Sequence, residues 1–447
     1  MVEKIKSTVL IILVFSSLLL TYHLWYGKQP AELIVEDTYE RVIIESPRSL
    51  DEVFFPSQLT VITENGLIIP DRDNPGYRVI WDIVRDSIAT LQKDPPNIDS
   101  IVSEGEQLAV FYFNPLLPAG PDSHWKTNYS NLRISRILMQ RFNEQVWSVA
   151  ITANEDALYA GELPSDSATI IEETISVFKE DQSGKYLLLS EDMFYFAGEA
   201  STVIQDPIFL PAEPLTMSRY ALKPEPYNRD QLLKTFFVDY SLARIIEEKD
   251  GGLIYTDGEK GLRLTTTSIE YSNPRLEQNL ANIDYYEALV NSNNYISYHG
   301  GWLQGLRLET LEPTGWNQAG AYAAQWRIYI SGYPLYTSIQ TKVVLNDRGL
   351  VHYSRSLYQV DESIQLDNVS VETAGWFEAL EKAISLLDEE RVGMRSYLRL
   401  EVMRLGYAAV TVSQNIIAEP VWLIKVNGKK FFLKADSLVQ IKEGELK

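Results

Sequence analysis

The sequence predicts an α+β protein, with a single amino-terminal transmembrane helix followed by a three-domain ectodomain whose last two domains are similar antiparallel sheets, each packed with a helix. Three observations carry this reading. An uncharged, almost wholly apolar stretch runs from Ser7 to Tyr26; prolines cluster near the middle of the chain; and beyond them hairpin signals and amphipathic segments alternate twice.

Twenty helical residues rising ~1.5 Å each span ~30 Å, about one hydrocarbon core. Lys4 and Lys6 lead the stretch, and Trp25 and Tyr26 fall where an aromatic belt belongs. Positive residues stay inside, so residues 1–6 form a cytoplasmic tail, 7–26 the membrane helix, and the remainder lies outside the cell membrane. A cleaved signal peptide is the competing reading. Its apolar region is shorter and ends at small residues, unlike Thr21-Tyr22-His23-Leu24-Trp25-Tyr26.

Net charge is −21; residues 1–27 carry +1, leaving −22 for the rest. An acidic body of this kind is repelled by nucleic acid and anionic lipid. With no cysteine, the chain excludes thiol catalysis, Fe–S clusters and Cys-based zinc sites. The absence of disulfides in an exported chain leans bacterial.

Residues 27–40 read as a polar stalk that opens a mixed α/β domain over 27–210. Val42-Ile43-Ile44 and Leu59-Thr60-Val61-Ile62 look like strands. Trp81, Val84, Ile88 and Leu91 recur at helical spacing and stop before Pro95-Pro96. Leu108 to Phe113 is a continuous apolar run, as in a buried strand. Residues 207–226 hold five of the 20 prolines and read as a linker.

The middle sheet-plus-helix domain is expected over 211–315 and the carboxy-terminal one over 316–447. Asp250-Gly251, Asp257-Gly258, Asn346-Asp347-Arg348-Gly349 and Asn427-Gly428 are turn signals between strand-like runs. Tyr322, Ala324, Trp326, Ile328 and Ile330 alternate with polar residues, as do Val351, Tyr353 and Leu357. Helices are predicted near Leu280–Asn291 and on the stripe Trp376, Leu380, Ala383 and Leu387, the latter ending at Leu405-Gly406-Tyr407.

No catalytic, metal or cofactor site emerges. The four histidines, His23, His124, His299 and His352, stand at no metal-binding spacing. Ser176-Val177-Phe178-Lys179 matches S-x-x-K, but the S-D-N and K-T-G elements that accompany it are missing. His299-Gly300-Gly301 suggests an oxyanion-hole loop without a nucleophile; two glycines there supply turn conformations. Asp71 to Gly76 starts like a calcium loop, but Pro75 takes the fifth ligand position, so it reads as a turn before a helix.

The pattern Ser17-x-x-Leu20-Thr21-x-x-Leu24-Trp25 ends the membrane helix. Phe237, Asp239, Ser241, Arg244, Ile246 and Glu247 are followed by Tyr255-Thr256-Asp257-Gly258, Gly261-Leu262-Arg263 and Glu270-Tyr271-x-Asn273-Pro274. Leu405-Gly406-Tyr407 and Pro420-Val421-Trp422 stand near the end. Together these resemble the YycH family of Gram-positive bacteria, across the whole chain. The resemblance implies a membrane-anchored, extracytoplasmic, non-enzymatic regulator of the sensor kinase YycG (WalK), acting with a YycI-like partner in the two-component system that governs cell-wall metabolism.

On the anchor, Leu10, Val14, Ser17, Thr21 and Leu24 form one seam suited to helix–helix packing. The seam is expected to meet kinase and YycI-like helices; Ser17 and Thr21 bonding their own helix backbone is the equal alternative. A homodimer, a wall-fragment binding module using exposed aromatics, and a wall hydrolase stay open.

Overall fold

Apolar alternation in the first half of the chain closes into a nine-stranded antiparallel sheet. In the computed structural model its order is Ile208–Pro211, Lys185–Leu189, Gly66–Ile68, Gln58–Thr63, Glu106–Ala119, Leu132–Phe142, Gln145–Thr152, Leu158–Glu162 and Gln92–Lys93. The structure describes residues 13–18, 21, 43–64, 66–180, 185–189, 195–196, 200–204, 207–277, 283–314, 320–361, 363–364, 366, 370–389 and 397–447. The chain divides into two units, Met1–Val42 and Ile43–Lys447.

In the first unit, residues 13–18 and 21 are helical, with Leu13, Val14, Phe15 and Leu18 exposed. Among the described residues no helix is long and apolar enough to cross a membrane. Most of the predicted span 7–26, the tail 1–6 and the stalk 27–40 lie outside those residues.

In the second unit, the helix Pro75–Ser87 begins as expected, with Pro75 at its first turn and the Asn74 side chain capping the Gly76 N–H. Its stripe of Tyr77, Ile80, Trp81 and Val84 is buried on the sheet, Trp81 meeting Phe111 and Phe113 at 5.5 Å. The helix Ser165–Glu180 packs beside it. A Cβ on Gly76 would lie 2.9 Å from the Phe178 ring, so only glycine lets the two helices approach this closely. On the other face of the sheet, Ile98 and Ile101 of the helix Ile98–Glu104 cover Val149 and Ala160.

The expected strand at Ile43-Ile44 is absent; these residues begin a bent segment. The proline-rich stretch is not a free linker either. It carries the strands Ile208–Pro211, Thr216–Ser218 and Tyr220–Pro224, which belong to three different sheets. Ile208–Pro211 is the outermost strand of its sheet, where a missing N–H is tolerated.

Beyond Tyr220 the strand pairings form a barrel-like circuit, left open among the described residues at the edge strand Arg244–Glu247. Tyr220–Pro224 bridges Tyr358–Val360 and Asn415–Val426; Tyr397–Val412 pairs with Asn415–Val426 and with Tyr333–Tyr336. The predicted hairpins form. At Asn427-Gly428 both residues have positive φ (51° and 78°), as a two-residue turn between twisted strands requires. The helix Tyr285–Tyr298 starts five residues later than its sequence pattern suggested, at the Asp284 cap.

The helix Trp376–Glu389 does not end at Leu405-Gly406-Tyr407. Those residues sit inside the strand Tyr397–Val412, which is held by a long ladder to Asn415–Val426. Gly406 has a packing reason instead: a Cβ there would lie 2.8 Å from the Pro334 carbonyl of the neighbouring strand.

Across the circuit, Glu309 accepts from Arg327 Nε at 2.6 Å and from Arg404 Nη2, while Arg404 Nε donates to the Tyr336 hydroxyl at 2.7 Å. Burial would raise the Glu309 carboxyl, but the Arg404 and Arg327 guanidiniums overcome it and hold its pKa below the usual range. Its stabilising contribution is therefore complete above about 4.5, the unperturbed value, and is lost as pH falls through the lowered folded value. Replacing Glu309 by Gln leaves two cations facing each other. We expect a loss of about 2–4 kcal/mol in urea unfolding at neutral pH, less than for a wholly buried pair because Arg404 is partly exposed. The gap to the parent should narrow below pH 4.5, the unperturbed carboxyl value. An unchanged midpoint at neutral pH would remove this cluster from the stability argument.

Candidate functional site

The residue types that could do chemistry are dispersed. His23 lies outside the described residues. His124 Nε2 is 3.0 Å from Asp51 Oδ1, and His352 sits at an intermediate position on the strand Gly349–Ser356. His299 is buried between Phe236 and Tyr295, its Nδ1 3.0 Å from Thr235 Oγ1. The Ser176 hydroxyl donates to the Glu172 carbonyl one turn back on an exposed helix face, so the S-x-x-K match assembles no nucleophile. Among the described residues no group of three His, Cys, Asp or Glu could hold a metal ion.

A cleft of about 600 Å³ runs along Pro224–Asp230 and Thr266. It offers one aromatic ring, Tyr227, whose hydroxyl donates to the Thr265 carbonyl at 3.0 Å. A wall glycan read by stacked aromatics would need more.

What the fold does assemble is a docking point for the start of the second unit. Residues 43–49 lie against the helix Tyr285–Tyr298 and the loop after it. The Glu45 N–H donates to the Ser297 carbonyl at 3.3 Å, and Glu45 Oε2 accepts from the Trp302 N–H at 2.7 Å. Asn293 Nδ2 donates to the Arg48 carbonyl at 2.9 Å, and the Arg48 guanidinium lies 4.7 Å from the Trp302 ring centre.

His299-Gly300-Gly301 makes this docking sterically feasible. Gly300 and Gly301 have φ of +147° and +72°. A Cβ on Gly301 would stand 2.8 Å from Glu45 Oε2, and one on Gly300 would stand 2.8 Å from Arg355 Nη1. The glycines supply a turn, as the sequence suggested, and also clear space on both sides of it.

Beneath the loop, Arg355 is 1% exposed. Its Nη1 donates to the Gly301 carbonyl at 2.7 Å and approaches the Tyr353 hydroxyl at 3.3 Å. Phe236 stacks on His299 at 4.2 Å and on Tyr271 at 4.8 Å, tying the helix Arg229–Phe236 to the same wall. The arrangement joins the segment 43–49 to the central strand Gly349–Ser356 through two hydrogen-bonded steps.

Of the predicted seam, Val14, Ser17 and Thr21 are described; Leu10 and Leu24 lie outside the described residues. Val14 is exposed, and Thr21 Oγ1 donates to the Ser17 carbonyl at 2.8 Å. The docking residues Glu45, Arg48, Asn293, Trp302 and Arg355 were not singled out by sequence. Their partners lie up to 257 residues away, so no local pattern marks them.

Two family models match the chain: "YycH protein, N-terminal domain" over residues 3–86 and "YycH protein, C-terminal domain" over residues 205–436. Among solved structures the chain is similar to the crystal structure of YycH from Bacillus subtilis. The two share 16% identity and a TM-score of 0.55, over 90% of this chain and 99% of that one. At that identity the likeness establishes the fold. No curated protein matches.

Replacing Glu45 by Ala removes the acceptor of the Trp302 N–H. We expect local opening of residues 43–49 to become easier by about 0.5–1.5 kcal/mol, read as faster hydrogen exchange, with the main unfolding transition little changed. Protection equal to the parent's would mean that Glu45 does not hold the segment down.

Proposed function

The chain belongs to the YycH family, and from that premise we propose that it is a membrane-anchored, extracytoplasmic, non-catalytic regulator of the YycG sensor histidine kinase. In this reading it acts on cell-wall metabolism together with a YycI-like membrane partner. Residues 7–26 form the single span, with the amino terminus in the cytoplasm. The observation that carries the proposal is the family match at both ends of the chain.

The anchor offers a route from an external body to a kinase whose catalytic parts lie inside. Leu10, Val14, Ser17, Thr21 and Leu24 present one seam to the kinase and partner helices. With the Thr21 hydroxyl bonded to the Ser17 carbonyl, the small side chains act chiefly by permitting close approach. A differential contact of about 0.6–2 kcal/mol between two kinase states shifts their ratio by roughly 3–30-fold. At the other end of the tether, the docked segment 43–49 passes a displacement to the Gly301 loop and Arg355.

Two measurements test this. Full-length protein should co-purify from membranes with the kinase, and protein lacking residues 1–27 should not. Replacing Ser17 and Thr21 by Leu at unchanged expression should alter kinase-dependent transcription several-fold, within the roughly 3–30-fold range above. Equal recovery of the truncated chain would sink the anchor mechanism, and loss of kinase association in both forms would sink the regulatory reading.

A further inference from the structure

The meander from Arg244 to Ser272 hangs on the circuit by the pairing of Ser268–Ser272 with Gly349–Ser356. Among the described residues its outermost strand, Arg244–Glu247, has one ladder only, with Leu253–Thr256. A single cross-strand row runs through Val343, Tyr353, Tyr271, Leu262, Tyr255 and Ile245. The first five are buried; Ile245 is 62% exposed. The apolar row thus reaches the sheet edge with its last member uncovered. On the opposite face Ile246 is 52% exposed. Edges are ordinarily blunted by Lys, Pro or a bulge, whereas the two central residues here are isoleucines.

Ladder geometry decides which backbone groups are free. The Glu248 N–H bonds the Gly252 carbonyl, so alternation turns Ile246 and Arg244 inward to their partners Ile254 and Thr256. The N–H and C=O groups of Ile245 and Glu247 therefore point outward.

We propose that a second copy of this chain docks on this edge, the strand Arg244–Glu247 pairing antiparallel with itself about a twofold axis at Ile246. Outward residues must meet outward residues, so Ile245 opposes Glu247 of the second copy, and Ile246 opposes its own equivalent. Arg244 then opposes Glu248 of the second copy, and the symmetry repeats that pair. Arg244 makes no ion pair among the described residues, whereas Glu248 already lies beside Arg263. Centring the axis on Glu247 would set like charges opposite, and centring it on Ile245 would leave Arg244 facing isoleucine. Charge complementarity thus selects both the occupant and the register. Repulsion between two acidic bodies is screened beyond ~8 Å at physiological ionic strength. The proposal is independent of the kinase reading.

The chain has no cysteine, so a single introduced thiol reports cleanly. Directly opposed residues that do not share hydrogen bonds lie about 4.5 Å apart at Cα, within disulfide reach. Full-length Ile246→Cys in detergent, under mild oxidation, should form a disulfide dimer in far higher yield than Val439→Cys, which places a thiol at an exposed site elsewhere. Ile245→Pro removes an outward N–H without touching the inner ladder and should abolish dimers by light scattering while thermal unfolding stays cooperative. Arg244→Glu should weaken self-association by roughly tenfold. Equal crosslinking at 246 and 439, preferential crosslinking through Ile245→Cys, a monomeric mass for the parent chain, or capture of a different protein by Ile246→Cys in membranes would each overturn the assignment.

Discussion

The strand Tyr397–Val412 pairs along one edge with Asn415–Val426 and at two places on the other, its first four residues with Ser201–Ile204 and Tyr407-Ala408 with Leu335-Tyr336. That strand thus links the carboxy-terminal hairpin to the rest of the circuit. Gly406 lets the Pro334 carbonyl approach, and Arg404 crosses to Glu309, which also holds Arg327. Trp326 and Trp422 are fully buried, and each large side chain removed from water contributes about 1.5–3 kcal/mol or more. A chain without disulfides depends on packing of this kind.

The same pairings separate a strand held on both sides from one held on one side. The Gly300-Gly301 loop rests on Arg355, whose strand is paired on both sides, so the segment 43–49 meets a loop supported by an interior strand. The meander ending at Arg244–Glu247 is attached through one strand and leaves its outer edge unpaired among the described residues.

Local chemistry was the most legible part of the fold. Asn74-Pro75 capping a helix, Asn427-Gly428 turning a hairpin and the alternation along Tyr322–Ile330 are each decided within a few residues. The misreadings arose where distant partners override local pattern. Prolines at 207–226 look like a linker until the edge position of Ile208–Pro211 accounts for them. Leu405-Gly406-Tyr407 looks like a helix cap until the neighbouring Pro334 carbonyl explains the glycine.

By itself the sequence determined the α+β class, the acidic and cysteine-free body, most hairpins, and the residues that carry the family resemblance. Composition and short-range periodicity encode these properties. Only the tertiary structure decided that Glu45 meets Trp302, that Arg355 supports Gly301, and that Ile245 ends a buried row in the open. Such pairings join residues tens to hundreds of positions apart, and burial depends on which strand finds a second neighbour. Neither quantity is a function of local sequence.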